Sequence, residues 1–228
     1  ISETSILHKG LSKSEAWIEA VRLMDLTRIP EAAKRANQYP FEFSGGMLQR
    51  VMIAMAVACQ PKVLIADEPT TALDVTIQDQ VLEIMKDLQK DQGMSIVLIT
   101  HDLGVVARMA DDVAVMYAGQ IVESGTVNDI FYKSSHPYTV GLRQAMPDSE
   151  IGSHKELMPI EGAPPDLFHP PIACGYAARC PHSMKVCEAH MPEEFPIVDH
   201  HFSRCWLQHA DSPIVSEELL HQNHGGKA

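Results

Sequence analysis

Two acidic residues and a histidine follow apolar runs that have the composition of buried strands. Asp67 and Glu68 come directly after the run 63–66, and His101 follows the run 95–100. A carboxylate at a strand end can hold Mg²⁺, and a second carboxylate beside it can orient an attacking water molecule. Alone, each feature has a simpler explanation, because acids after a core strand are often solvated and a single histidine is usually structural.

A glycine-rich segment is the second candidate for chemistry. Ser44, Gly45 and Gly46 stand where a helix is expected to begin, and Asp74 closes the segment Thr-Ala-Leu-Asp that follows Glu68. Glycines allow backbone N–H groups to approach a phosphate closely, and a helix N-terminus is the positive end of a dipole. A glycine-rich turn with a serine cap has the same appearance, so this short pattern does not decide the matter by itself.

The elements that must position these residues follow from the spacing of apolar side chains. Helices are predicted over 12–27, 31–37, 46–59, 75–91 and 103–109, and strands over 63–66, 95–100, 113–117 and 121–123. Strands that alternate with helices indicate a parallel α/β sheet covered on both faces. In such sheets ligands bind at the carboxyl ends of the strands, where Glu68 and His101 are expected.

Composition narrows the class of protein. The chain has 228 residues with a net charge of −12, enough for one domain and a smaller appendage. We find no clustered positive charge of the kind that binds a nucleic acid duplex, so no nucleic acid partner is expected. No apolar run approaches the roughly 18 residues that a membrane-spanning helix needs.

The order of these motifs resembles the second half of an ABC transporter ATPase. In that family the segments are the signature motif, Walker B with its catalytic glutamate, the D-loop and the switch histidine. The resemblance narrows to the oligopeptide/dipeptide importer branch on EFSGGM, IADEPTTALDVT, ITHDLGVVA and the box His136-Pro137-Tyr138-Thr139. Segments 160–165 and 174–187 are similar to the C-terminal extension of that branch. This resemblance implies an α/β P-loop NTPase domain with a helical subdomain.

The resemblance implies a role for each candidate residue. Residues 44–46 would contact the γ-phosphate of ATP bound to the opposite subunit. Asp67 would hold the water shell of Mg²⁺, and Glu68 would activate the hydrolytic water. Asp74 would link the two sites across the dimer, and His101 would sense the γ-phosphate.

The resemblance also implies function and partners. The protein would be an ATPase that powers import of peptides or related small solutes, bound peripherally at the cytoplasmic face of the inner membrane. Its partners would be two permease subunits, a second ATPase subunit (identical or paralogous) and, indirectly, an extracytoplasmic solute-binding protein. One alternative is a soluble ABC ATPase that acts on nucleic acid or the ribosome, which the acidic balance disfavours. Another is a catalytically silent subunit, which the presence of Glu68 and His101 disfavours.

Two departures from the family pattern affect these expectations. Phe43 and Leu48 replace the usual leucine and arginine of the signature, but the Ser-Gly-Gly unit remains. More seriously, the sequence contains no G-x-x-x-x-G-K-[ST], the P-loop that cradles the phosphates, and no Q-loop. The chain begins at Ile1, so we expect that an N-terminal segment is missing from it and that the chain alone is inactive.

The predicted elements divide the chain into three regions. We expect a helical subdomain over 1–60, a parallel α/β catalytic core over 61–142 and a small, irregular, metal-bearing extension over 143–228.

The last region of the chain carries a cysteine cluster. Four thiolates suit either tetrahedral Zn²⁺ or a [4Fe–4S] cluster, and the long gaps between these cysteines fit structural zinc poorly. The resemblance favours the [4Fe–4S] cluster. The four candidate ligands are Cys174, Cys180, Cys187 and Cys205.

Overall fold

Four α-helices precede the first strand, and a strand, a helix and a second strand follow them. The computed structural model describes residues 1–146 and 159–212, and the chain divides into two compact units, Ile1–His101 and Asp102–Ala228. The first unit contains α1 (Ser2–Lys9), α2 (Lys13–Leu26), α3 (Ala32–Arg35), α4 (Gly45–Val57), β1 (Val63–Asp67), α5 (Val75–Gln92) and β2 (Ser95–Ile99). The described part of the second unit contains α6 (Leu103–Met109), β3 (Asp112–Tyr117), β4 (Gln120–Thr126), α7 (Val127–Tyr132), α8 (Pro137–Gln144), α9 (Lys185–Ala189), β5 (Phe195–Val198) and β6 (His201–Ser203).

The helix predicted over 12–27 is confirmed as α2, with reciprocal capping at its start. The Ser12 side chain accepts a hydrogen bond from the Glu15 N–H, and the Glu15 carboxylate accepts one from the Ser12 N–H at 2.9 Å. This arrangement satisfies backbone donors that a helix start otherwise leaves free. The apolar side of α2 is buried at Ala16, Ala20 and Leu23. The short α1 has no counterpart in the predicted pattern.

The first unit holds a parallel pair of strands. β1 and β2 lie in register with Asp67 opposite Ile99. Along β1, Leu64 is buried whereas Ile65 is 68% exposed, and Val97 beside Ile65 is also exposed. Successive strand residues point to opposite faces, so one face of the pair is open within the described residues. The expectation that both faces are covered is therefore not met there.

The second unit holds a different kind of sheet. Its four strands run antiparallel in the order β3-β4-β6-β5. A tight turn at Ala118 and Gly119, both with positive φ (50° and 78°), reverses the chain between β3 and β4. The parallel arrangement predicted for the core over 61–142 therefore does not extend to these strands.

The cysteine-bearing extension is more regular than expected. It supplies α9, β5 and β6, and β6 pairs with β4 so that Ser203 lies opposite Glu123. The extension thus shares a sheet with the segment before it, and a core of this unit includes Val115, Tyr117 and Tyr176. Strands this short have too few residues to show a periodicity in the sequence. The division into 1–60, 61–142 and 143–228 stays a prediction.

Candidate active site

The carboxyl ends of β1 and β2 bring the predicted acidic residues and the histidine to one edge. Asp67 ends β1, and the Glu68 N–H donates to the Ile99 carbonyl at 2.9 Å, which extends the ladder by one bond. Glu68 then adopts a left-handed conformation with φ of 48°. Glutamate seldom adopts this conformation, and such residues are concentrated at functional sites. The chain turns sharply at the residue that is predicted to be catalytic.

Glu68 and His101 are in direct contact. The Glu68 Oε1 and His101 Nδ1 atoms are 2.8 Å apart, and the Thr71 hydroxyl donates to Glu68 Oε2 at 2.7 Å. The hydrogen bond with His101, followed by that with Thr71, lowers the pKa of Glu68. The side chain of Glu68 is 39% exposed and that of His101 is 82% exposed. The result is an ionised carboxylate, held at both oxygens, that a water molecule or a substrate can reach.

Asp67 lies next to this pair and has the properties of a cation ligand. It is exposed, and we find no hydrogen bond or ion pair to its carboxylate within residues 1–146 and 159–212. Mg²⁺ usually keeps several waters and takes one or two carboxylates from a protein. A free carboxylate at a strand end fits that requirement.

The glycine-rich segment forms the start of α4, as predicted, but its two glycines differ. Ser44 is the N-cap, and its Oγ accepts a hydrogen bond from the Met47 N–H at 3.4 Å. A Cβ at Gly46 would lie 2.5 Å from Cγ2 of Ile77, so helix packing alone requires glycine there. A Cβ at Gly45 would meet nothing within 4 Å. Packing therefore explains Gly46 but not Gly45. The open space at Gly45 would allow a ligand to approach the backbone.

Asp74 lies at the start of α5 and caps it. Its Oδ1 accepts a hydrogen bond from the Ile77 N–H at 2.9 Å. An N-cap aspartate stabilises a helix without any ligand, so the structure supplies an additional role for this residue. No hydrogen bond in the described residues joins Asp74 or Ser44 to the pair formed by Glu68 and His101.

Sequence reasoning missed the contacts that two residues make in the first unit. Thr71, whose hydroxyl reaches Glu68, has a weak signal in the sequence because a threonine after proline is ordinary turn composition. Arg50 on α4 donates to the Arg28 carbonyl at 2.8 Å and to Gln80 Oε1 at 2.5 Å. These contacts join α4 to α5 and to the segment after α2, and no local pattern in the sequence predicts them.

The four cysteines lie near one another in the second unit. The Cys174 N–H donates to the Cys187 carbonyl at 3.0 Å. Burial raises the pKa of the Cys205 thiol, and the thiols of Cys180, Cys174 and Cys187 raise it further. Burial also raises the pKa of Cys180, to about 11. Among the residues that the structure describes, no group of three or more His, Cys, Asp or Glu side chains is placed to hold a metal ion.

The box that starts at His136 has a structural explanation. His136 is buried, and burial lowers its pKa to about 3, so its ring is neutral and accepts a hydrogen bond from the Tyr138 N–H at 3.1 Å. The buried Glu123 carboxylate accepts hydrogen bonds from the Ser135 and His136 N–H groups and lies 2.8 Å from His201 Nε2. Glu123 thereby ties β4 to β6 and to the segment before α8.

Known families match two parts of the chain. The family described as "ABC transporter" matches residues 2–71, and "Oligopeptide/dipeptide transporter, C-terminal region" matches residues 122–187. The first match includes the start of α4 and Glu68, and the second includes three of the four cysteines in the extension.

Curated relatives align with nearly the whole chain. The oligopeptide transport ATP-binding protein OppD of Bacillus subtilis is 56% identical over 215 residues, covering 94% of this chain and 60% of the relative. The dipeptide transport ATP-binding protein DppD of the same organism is 52% identical over 208 residues, covering 91% and 62%. The chain thus spans about 60% of the length of these relatives. A solved dimeric ATP-binding cassette, MJ0796 bound to ADP and Pi, aligns with 51% of this chain and 49% of its own at 29% identity and a TM-score of 0.46.

Proposed function

Because this chain belongs to the ATP-binding proteins of oligopeptide/dipeptide-type ABC transporters, we propose that the complete protein hydrolyses ATP to power peptide import. The observation that carries this proposal is the contact between Glu68 and His101 at the carboxyl ends of two parallel strands. A carboxylate, a histidine and a free aspartate at one edge are among the groups that ATPases use for phosphoryl transfer to water.

The mechanism assigns one task to each residue. Asp67 would hold the water shell of Mg²⁺, an ion that neutralises charge on the phosphates when it is bound. Glu68 would accept a proton from the attacking water, since its lowered pKa keeps it ionised. His101 keeps the carboxylate in place through the bond to Oε1 and would contact the γ-phosphate.

The start of α4 would bind phosphate from a second subunit. Gly45 is open to approach, and the free N–H groups of a helix N-terminus attract an anion. Ser44 would add its hydroxyl, while Gly46 allows α4 to pack closely on α5. Asp74 would serve the dimer interface in addition to its role as a cap.

The proposed partners follow from the names of the relatives, which are transport ATP-binding proteins. They are two permease subunits, a second ATPase subunit and, indirectly, an extracytoplasmic solute-binding protein. No described helix has both the length and the apolar character needed to cross a membrane. We place the protein peripherally at the cytoplasmic face of the inner membrane, attached through the permease.

The experiment uses the full-length protein reconstituted with its permease. Glu68→Gln should retain nucleotide binding, nearly abolish turnover and trap a closed dimer, because the water loses its base while Asp67 is unchanged. The matched control is Glu83→Gln on α5, which removes only an exposed ion pair with Arg28 and should leave turnover near normal. Near-normal turnover in Glu68→Gln would assign the base to another residue, and copurification with nucleic acid in place of permease would favour the soluble alternative.

We further propose that Cys174, Cys180, Cys187 and Cys205 hold a [4Fe–4S] cluster. Four neighbouring thiols, buried or half-buried, are a suitable ligand set, since cysteine thiolates bind such clusters. As described, these residues are not placed to hold a metal ion, so cluster binding would require them to move closer together. A bound cluster would stabilise the extension by joining its loops.

Anaerobic purification tests the cluster. The protein should be brown and contain about four irons per chain. Each Cys→Ser replacement among the four should bleach it, whereas Cys59→Ser, at an exposed cysteine of the other unit, should not. Stoichiometric zinc without iron would favour the zinc alternative and contradict the cluster.

A further inference from the structure

A tight turn links Glu68 to Thr71, a residue without a role in the proposed mechanism. The Thr71 N–H donates to the Glu68 carbonyl at 3.2 Å, which closes the turn. Pro69 follows Glu68, and its ring fixes one backbone torsion. Thr70, next in the turn, is 9% exposed. The backbone of Thr71 is therefore held in a defined position relative to Glu68.

The side chain of Thr71 makes a second bond to the same residue. Its hydroxyl donates to Glu68 Oε2 at 2.7 Å, while His101 Nδ1 lies 2.8 Å from Oε1. A glutamate side chain has three rotatable bonds, and one that is 39% exposed is not confined by packing alone. A partner at one oxygen still allows the carboxylate to rotate about its last bond. A partner at each oxygen fixes the plane of the group.

We propose that Thr71 is a positioning residue for ATP hydrolysis: its hydroxyl fixes the Glu68 carboxylate plane so that the free lone pairs face the attacking water. The inference rests on the proposed function of Glu68. Small errors in the placement of a reacting group reduce the rate strongly, so a fixed carboxylate should have a measurable effect on turnover. Thr71 acts through Glu68 and does not need to touch the nucleotide.

The test compares kcat and KM for ATP in the full-length protein. Thr71→Val removes the hydroxyl, keeps the β-branched shape and retains the backbone N–H that closes the turn. We expect kcat to fall about tenfold, the effect of losing one hydrogen bond to a charged group, with KM for ATP unchanged. Thr71→Ser restores the hydroxyl and should recover most of kcat. Thr70→Val, the matched control in the same turn, should keep the wild-type kcat.

A second comparison separates positioning from a general structural role. In the Glu68→Gln protein, adding Thr71→Val should cause no further loss of kcat, because the base is already absent. Any of three results would overturn the inference. They are a normal kcat in Thr71→Val, a rise in KM that accounts for its loss of activity, and a further loss of kcat in the double variant. An inactive Glu68→Gln protein beside a fully active Thr71→Val would overturn the role of Thr71 alone. An active Glu68→Gln protein would overturn the assignment of the base and this inference with it.

Discussion

Replacing Gly46 by alanine is expected to destabilise the first unit, because α4 packs against α5 at this residue. The new Cβ would lie 2.5 Å from Cγ2 of Ile77, far inside van der Waals contact. That methyl group is attached to the branched β-carbon, and χ1 of isoleucine is nearly fixed in a helix. The methyl group cannot swing aside, so the two helices must move apart.

The expected magnitude is a balance of two effects. Overpacking of this kind costs about 1–3 kcal/mol of unfolding free energy. Alanine in a helix regains about 0.5–1 kcal/mol relative to glycine, because the unfolded chain loses less backbone entropy. The difference between these two effects is about 1 kcal/mol, so we expect Gly46→Ala to lower the free energy of unfolding by about that amount.

Urea unfolding of the nucleotide-free, full-length protein measures this loss, and Gly45→Ala is the matched control. A Cβ at Gly45 meets nothing within 4 Å, so this variant should be at least as stable as the wild type. It should nevertheless lose ATP turnover, because a methyl group would stand at the open helix N-terminus. Combining Gly46→Ala with Ile77→Ala removes the clash. The double variant should therefore lose less unfolding free energy than the sum of the losses in the two single variants. Equal midpoints for the two glycine variants, or full additivity in the double variant, would refute the packing argument.

Three further expectations concern the cap of α5, the buried carboxylate of Glu123 and the missing P-loop. Asp74→Ala should lower the unfolding free energy by about 1 kcal/mol, because the cap of α5 is lost. Asp74→Asn should keep most of that stabilisation, since asparagine also caps helices. Glu123→Ala should cost about 3–5 kcal/mol in the same measurement, since it leaves the Ser135 and His136 N–H groups and His201 without their buried acceptor. The 228-residue chain by itself should bind nucleotide weakly and show no ATP turnover, because it contains no P-loop; robust Mg²⁺-dependent hydrolysis by it would contradict the assignment.

The local elements of the first unit could be read from the sequence because their causes are local. The spacing of apolar residues in α2 and α5, the capping box at Ser12 and the stop at Gly93 each lie within a few residues of the element they define. Gly93 ends α5 with φ of 64°, a conformation that glycine adopts without steric cost. The same local patterns place Glu68 and His101 after strands, and the pairing of those two strands brings the residues together.

Contacts between distant parts of the chain were decided by the tertiary structure alone. The pairing of β6 with β4 and the hydrogen bonds of Glu123 join residues far apart in sequence, and short strands carry too little pattern to reveal them. The phosphate contact of Gly46 stays a prediction, and the tertiary structure adds a second reason for this glycine, its close packing on Ile77. The bond from the Thr71 hydroxyl to Glu68 also depends on the folded chain, because rotamer and backbone torsions decide what a side chain reaches. The sequence by itself determined which residues could do chemistry, and the folded chain decided which of them hold one another in place.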